Sequence, residues 1–400
     1  MKNAIDKHLQ HSIDQLLRHQ GEYTPLELLL AEGRLAQHDY DAWRCGNRPR
    51  LDTALFGDPD QIRHMLAEAQ RYVSSNRLPL QAQPLTYERW GANGGQTLRF
   101  SDNDTLNDYF HTGYRKAENQ PQMDFFIDAP SVNLAGGIAQ ALRRGNYDDA
   151  RPLLGQLIQN DPGHARLGSL EQLVDAATRL NAPVNDLAAE LDFLHNVLTP
   201  AADDALGRNA GSVLIPHWRH LDDALQNTPF DPHRPTLHSS YTATRALDWA
   251  TARAAVERET DWQRHAVLLQ RHVIACAHLQ DRSAALLSRF ELCWRHPEHT
   301  QAIVADDYEL QNAWQLFLDL EPELKTEDFP AWLLLHQPAL INILPAPERE
   351  DGPRAVYVLV YRLQNATGGN AAPETSDIAL REQLKHLNPP LFEHFLIRRR

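Results

Sequence analysis

Twenty histidines are spread through 400 residues. Three pairs, His8/His11, His217/His220 and His296/His299, stand at the i, i+3 spacing that puts two imidazoles on one helical face. Metal chemistry would need a third and usually a fourth donor. The richest local set is Cys293, His296 and His299, but Pro297 lies inside it and should end the helix and spoil the shared face. Histidines at helix ends, facing the dipole, account for such pairs without a metal, so no metal and no cofactor are expected. The carboxylate pairs Asp203-Asp204, Asp222-Asp223 and Asp306-Asp307 are adjacent in sequence and diverge on a helix, whereas general acid–base work needs carboxyl groups that converge across a cleft. Glu323-Leu324-Lys325 has the spacing of some metal-dependent nucleases, which hold it on a strand beside a further Asp. Here it follows Glu321-Pro322 in a helical setting. The glycines at 91, 94 and 95 lack the Lys-Ser/Thr of a phosphate-cradling loop, and there is no GxSxG elbow. The inventory predicts a non-enzyme, with no catalytic, cofactor or metal residues to assign.

A sharper short signal is Gln122-Met123-Asp124-Phe125-Phe126, between a polar stretch and Asp128-Ala129-Pro130. It resembles the bacterial sliding-clamp-binding pentapeptide, whose pattern is Gln, then Leu or Met, then Ser or Asp, then two hydrophobic residues ending in Phe. Every position fits. An extended segment of this kind can insert Met123, Phe125 and Phe126 into apolar pockets while the Gln122 amide hydrogen-bonds at the pocket edge. The resemblance implies an accessory factor of DNA replication or repair, recruited to the sliding clamp. Read from chemistry alone, Phe125-Phe126-Ile127 fits equally well an anchor that pins the segment to this chain's own core.

The elements that must position these residues are helical. Leu9, Ile13, Leu16 and Leu17 fall on one helical face, and Thr24-Pro25 followed by Leu26, Leu29, Leu30 and Gly33 reads as cap, first turn, apolar stripe and stop. A third helix follows Asp58-Pro59, with Ile62, Met65, Leu66, Ala69 and Val73 on its stripe. From 80 to 130 the pattern deteriorates, with prolines at 84, 121 and 130 and a glycine-rich stretch at 91–95. We expect an irregular connector there, with a short extended piece at Gln96 to Phe100 and a helical turn at Asp104 to Phe110. Helical signals then run to the end. Asp261 to Leu279 and Ser283 to Trp294 read as a hairpin, and Ala355 to Leu363 as a helix despite its strand-like valines and tyrosines.

Leu134 to Pro162 resembles a tetratricopeptide repeat, a helix-turn-helix unit. Gly145-Asn146-Tyr147 takes the inter-helix turn, Ala150 the small-residue position and Pro162 the terminating proline, while Leu134 replaces the usual aromatic and Gly136-Gly137 falls one place early. Ala285 to Pro297 repeats the spacing of Ala150 to Pro162 without a convincing turn. Since one hairpin cannot bury its apolar face, the resemblance implies a stack, and the expected fold is all-α, a divergent TPR-like solenoid. The expected organisation is an N-terminal hairpin region over 1–79, the connector over 80–130 and a repeat domain over 131–400. Lys plus Arg is 39 against 53 for Asp plus Glu, a net charge of −14 that opposes direct binding to nucleic acid or anionic lipid. No apolar run approaches the roughly 20 residues of a membrane span, the first residues lack the core of a signal peptide, and Cys45, Cys276 and Cys293 form no CxxC pair. A cytoplasmic interaction scaffold or adaptor is the expected function, its partner a protein of unknown identity, with the sliding clamp as the alternative implied by Gln122–Phe126.

Overall fold

Thr24, Pro25 and Gly33 act as their residue types predict. The Thr24 hydroxyl accepts from the backbone N–H of Glu27 at 3.3 Å, Pro25 opens the helix, and Gly33 leaves it with φ +64°. The computed structural model describes residues 6–19, 22–75, 80–90, 96–116, 130–300, 307–320, 323–348, 352–367 and 375–398. It separates into two units, residues 1–225 with 245–248, and residues 226–244 with 249–400. Helices dominate the described residues of both, so the all-α class holds, with one small sheet in the first unit. No helix among the described residues is long and apolar enough to cross a membrane.

In the first unit α1 (Lys7–His19), α2 (Pro25–Ala31), α3 (Gln37–Arg44) and α4 (Pro59–Val73) pool their apolar stripes. Leu9, Ile13, Leu28, Leu29, Trp43, Ile62, Leu66 and Val73 all join one buried cluster. Residues 80–90 and 96–116 are less irregular than the prolines and glycines of this stretch predict. Strands β1 (Glu22–Tyr23), β2 (Leu80–Pro84) and β3 (Thr112–Lys116) form an antiparallel sheet in the order β1-β3-β2, with Tyr23 opposite Tyr114 and Ala82 opposite Tyr114 on the other side. The expected turn is α5 (Asp104–Phe110), capped by the Asn103 side chain. The expected extended piece keeps only one bridge, Thr97 to Glu88. Burial organises this stretch, since Trp90, Leu98, Phe100 and Phe110 enter the same core and Phe100 stacks on Phe110. Its strands find a partner far away in sequence, which local pattern does not reveal. The division into units accordingly falls near 225 and not near 130.

The hairpin expected over Leu134 to Pro162 is present as α6 (Pro130–Arg143) and α7 (Tyr147–Asn160). Gly145 makes the turn at φ +73°, a conformation that favours glycine. Ala150 is fully buried, as are Ile138, Leu142 and Leu157. The next helices of this unit are α8 (Leu167–Ala176), α9 (Leu187–Phe193), α10 (Thr199–Leu206) and α11 (Gly211–Leu225), of which α8 packs on both members of the hairpin. At the start of α11 a Cβ on Gly211 would lie 2.7 Å from the Trp90 ring, so this close approach requires glycine.

The second unit begins before α12 (Ser239–Arg245) and continues through α13 (Trp249–Arg258), α14 (Ala266–His278) and α15 (Arg282–Arg295). It ends with α16 (Tyr308–Leu318), α17 (Phe329–His336), α18 (Arg354–Thr367), α19 (Thr375–Leu387) and α20 (Pro389–Arg398). The α14/α15 hairpin is the expected one, with Asp281 capping the second helix through the backbone N–H of Ala284 at 3.0 Å. One large core gathers Phe290, Phe317, Phe329, Leu333, Val360 and Leu363. Helix α18 is buried on most of its faces, since every residue from Val356 to Tyr361 is covered. Its valines and tyrosines are β-branched and aromatic, so the segment reads locally as strand although it folds as a helix.

Candidate binding cleft

Helix α15 buries Leu286, Phe290 and Cys293 and turns the adjacent stripe, Leu287, Glu291 and Trp294, toward a cavity of about 320 Å³. These three stand at i, i+4 and i+7, one helical face. The first turn of α18 supplies Arg354 and Tyr357 at i, i+3, the segment Pro345–Glu348 supplies another wall, and Gln263 completes the rim. The Trp294 and Tyr357 rings meet edge-on at 5.4 Å, with Phe290 behind both at 6.0 and 5.5 Å. The Arg354 guanidinium lies 5.2 Å over the Trp294 ring and forms a close ion pair with Glu291, which also accepts from Arg295 Nε at 2.9 Å. That arrangement fixes the indole by a cation–π contact and fixes the cation by a carboxylate.

Two aromatic side chains in this cleft carry a donor without a partner. Trp294 Nε1 and the Tyr357 hydroxyl are both shielded, and neither makes a hydrogen bond. Burial, and then the neighbouring Tyr361, push the Tyr357 phenol upward, so it keeps its proton and remains a donor. An unsatisfied buried polar group costs about 1–3 kcal/mol. The indole nitrogens of Trp90 and Trp314 are also orphaned, but neither lines this cavity.

Nearby in the same unit are two Ser–His–Glu chains. His272 on α14 contacts Ser288 Oγ at 2.8 Å through Nδ1 and Glu257 Oε1 at 3.1 Å through Nε2, with Cys276 Sγ 3.5 Å away. His238 contacts Ser240 Oγ at 2.8 Å and Glu259 Oε1 at 3.3 Å, and Arg271 Nη1 donates to the same Ser240 at 2.9 Å. Burial lowers both histidine pKa values, against the pull of the two glutamates. The order of exposure is the reverse of what a nucleophile needs. Ser240 and Ser288 are buried, while the Glu257 side chain is 43% exposed. Burial also raises the Cys276 thiol to about 11, away from thiolate character. These chains tie α12 through α15 together, and sequence spacing gave no hint of them.

The residues singled out by spacing do not converge. No group of three or more His, Cys, Asp or Glu able to hold a metal occurs among the described residues. His8 faces Glu32 at 3.5 Å and His11 contacts Gln15 at 3.0 Å. His217 is buried with both ring nitrogens unpartnered, while His220 contacts the Ala182 carbonyl oxygen at 2.9 Å. His296 and His299 flank Glu298 at 3.9 and 3.6 Å beside the 3₁₀ turn that Pro297 opens, and burial raises the Cys293 thiol to about 12. Asp204 accepts from Ser169 at 2.7 Å, and Glu323 and Lys325 lie in a turn before a 3₁₀ helix and not on a strand. Gln122, Met123, Asp124, Phe125 and Phe126 lie outside the described residues. Trp43, Trp90, Trp218, Trp249, Trp314 and Trp332 are buried as core, whereas Trp262 and Trp294 are partly exposed. The sequence names Trp294 but not its partner Tyr357, which the fold brings from another helix. Comparison with protein-family models, curated proteins and solved structures finds no match for the chain.

Proposed function

We propose that the chain is a helical interaction protein, a scaffold or adaptor, whose second unit docks a segment of a partner protein in the Trp294–Tyr357 cleft. The observation that carries this reading is the pair of orphaned buried donors on two aromatic side chains that line one cavity. A concave, largely apolar cavity with a few convergent polar groups is the usual form of a binding site, and Trp and Tyr are the side chains that most often dominate binding energy. The test compares polypeptides retained by the immobilised full chain with those retained by the double variant Trp294→Ala/Tyr357→Ala. The reading expects a specific polypeptide to be lost from the variant, and identical retention by both contradicts it. A second reading rests on the five matched positions of Gln122–Phe126 and makes the chain an accessory factor recruited to the sliding clamp. The net charge of −14 favours indirect contact with DNA in that case.

A further inference from the structure

We infer that His238 is a proton-operated latch of the second unit: while neutral it fastens the start of α12 to the end of α13 and to α14, and taking up a second proton releases that fastening. The donors around the ring leave it one protonation state. The backbone N–H of Ser240, the second residue of α12, points at His238 Nδ1 at 3.2 Å, and a backbone N–H can only donate. The Ser240 hydroxyl stands 2.8 Å from the same nitrogen and accepts from Arg271 Nη1 at 2.9 Å, so its own hydrogen is turned to the imidazole. Nδ1 is therefore an acceptor without a hydrogen, and the ring proton sits on Nε2, facing Glu259 Oε1 at 3.3 Å.

A second proton, added at Nδ1, would set N–H against N–H and leave the hydroxyl hydrogen of the fully buried Ser240 without an acceptor. Among the charges that face the ring, Glu259 favours the imidazolium while Arg271 and Arg258 oppose it, and burial adds to the opposition. The Phe230 ring meets the imidazole at 5.5 Å, nearly perpendicular, and meets the His265 ring at 5.1 Å, and it offers no acceptor.

His272 has the same residue types around it without the lock. Its Nδ1 meets the Ser288 hydroxyl at 2.8 Å and the Cys276 sulfur at 3.5 Å, and among the described residues no backbone N–H donates to it. Ser288 lies inside α15, where a serine hydroxyl can turn its hydrogen to a carbonyl of the preceding turn. Glu257 faces Nε2 at 3.1 Å and is held by Arg253, which also pairs with Asp281. A proton on His272 thus costs one hydroxyl rotation, whereas a proton on His238 costs the junction. Opening the start of α12 lets His238 take the proton that the closed form refuses. Below the ordinary histidine pKa of 6.5 the open fraction therefore rises about tenfold per pH unit until the closed form itself titrates, and above it the latch is indifferent to pH.

The test uses the full chain. Nitrogen–proton NMR spectra of the imidazoles, assigned through their backbone resonances, are expected to show His238 at pH 7.5 with its proton on Nε2 and none on Nδ1, and still neutral at a pH where His272 is protonated. Hydrogen exchange of the α12 amides, corrected for its intrinsic pH dependence, should give an opening equilibrium that is level above pH 7 and rises about tenfold between pH 6 and pH 5. In His238→Asn, whose side-chain oxygen can stand in for Nδ1 as acceptor, the opening should stay level throughout. A proton on Nδ1, a His238 that titrates together with or above His272, or an opening equally dependent on pH in the parent and in His238→Asn each overturns the proposal. The tautomer and the order of titration are read on the parent chain, so they decide the matter even if the variant fails to fold.

Discussion

His217 offers a perturbation whose size follows from its burial. It sits on α11 in the first unit, 1% exposed, with neither ring nitrogen bonded. Burial, then the charges of His220 and Arg179, lower its pKa from 6.5 to about 4. A depressed histidine pKa means that between these values the unfolded chain binds a proton that the folded chain refuses. Stability is therefore full above pH 6.5 and falls as the pH drops toward 4. With about 1.4 kcal/mol per unit, the loss at pH 4.5 is roughly 2.5 kcal/mol. Replacing the side chain by leucine, His217→Leu, removes this linkage. It also removes two unsatisfied polar atoms, so at pH 7.5 the variant should be as stable as the parent or up to about 2 kcal/mol more stable. Urea unfolding of the full chain at both pH values checks this. The variant's advantage should grow by roughly 2.5 kcal/mol from pH 7.5 to 4.5, since the other titrating groups are common to both chains. An advantage of the same size at both pH values would refute the reasoning, because it would mean that the folded histidine titrates normally.

Other outcomes follow from single contacts. Gly211→Ala forces a Cβ to within 2.7 Å of the buried Trp90 ring and should destabilise the first unit by about 1–3 kcal/mol in thermal or urea unfolding, an overpacking cost. Thr24→Ala removes the cap of α2 and should cost about 1 kcal/mol, with Thr24→Ser restoring most of it. If Gln122–Phe126 docks on a sliding clamp, the full chain should be retained by immobilised clamp and Gln122→Ala/Phe126→Ala should not, whereas equal behaviour of the two would remove that reading.

The parts of the fold legible in the sequence are those whose signals are local. Caps and stops such as Thr24-Pro25, Asp58-Pro59 and Gly33, and one-sided apolar stripes such as Ile62, Leu66, Ala69 and Val73, give helices where the residue types place them. Residues 80–90 and 96–116 make contacts with Glu22–Tyr23 and with the aromatic core, so the prolines and glycines of this stretch mislead. Helix α18 is rich in valines and tyrosines that suit a strand as well as a helix, so its local sequence is ambiguous. The cleft follows the same rule. Its α15 face, Leu287, Glu291 and Trp294, is an ordinary helical spacing, but a site exists only once α18 brings Arg354 and Tyr357 against it. The histidine chains depend likewise on side chains from α12 through α15 meeting in three dimensions.

The most direct test of the cleft is the unfolding free energy of Tyr357→Phe, measured on the full chain beside the parent. If the hydroxyl is held without a partner for a ligand to use, its removal leaves stability unchanged or raises it by about 1 kcal/mol, while binding at the cleft weakens. A loss of roughly 1.5 kcal/mol or more would show that the hydroxyl already bonds within the fold, and would contradict the account.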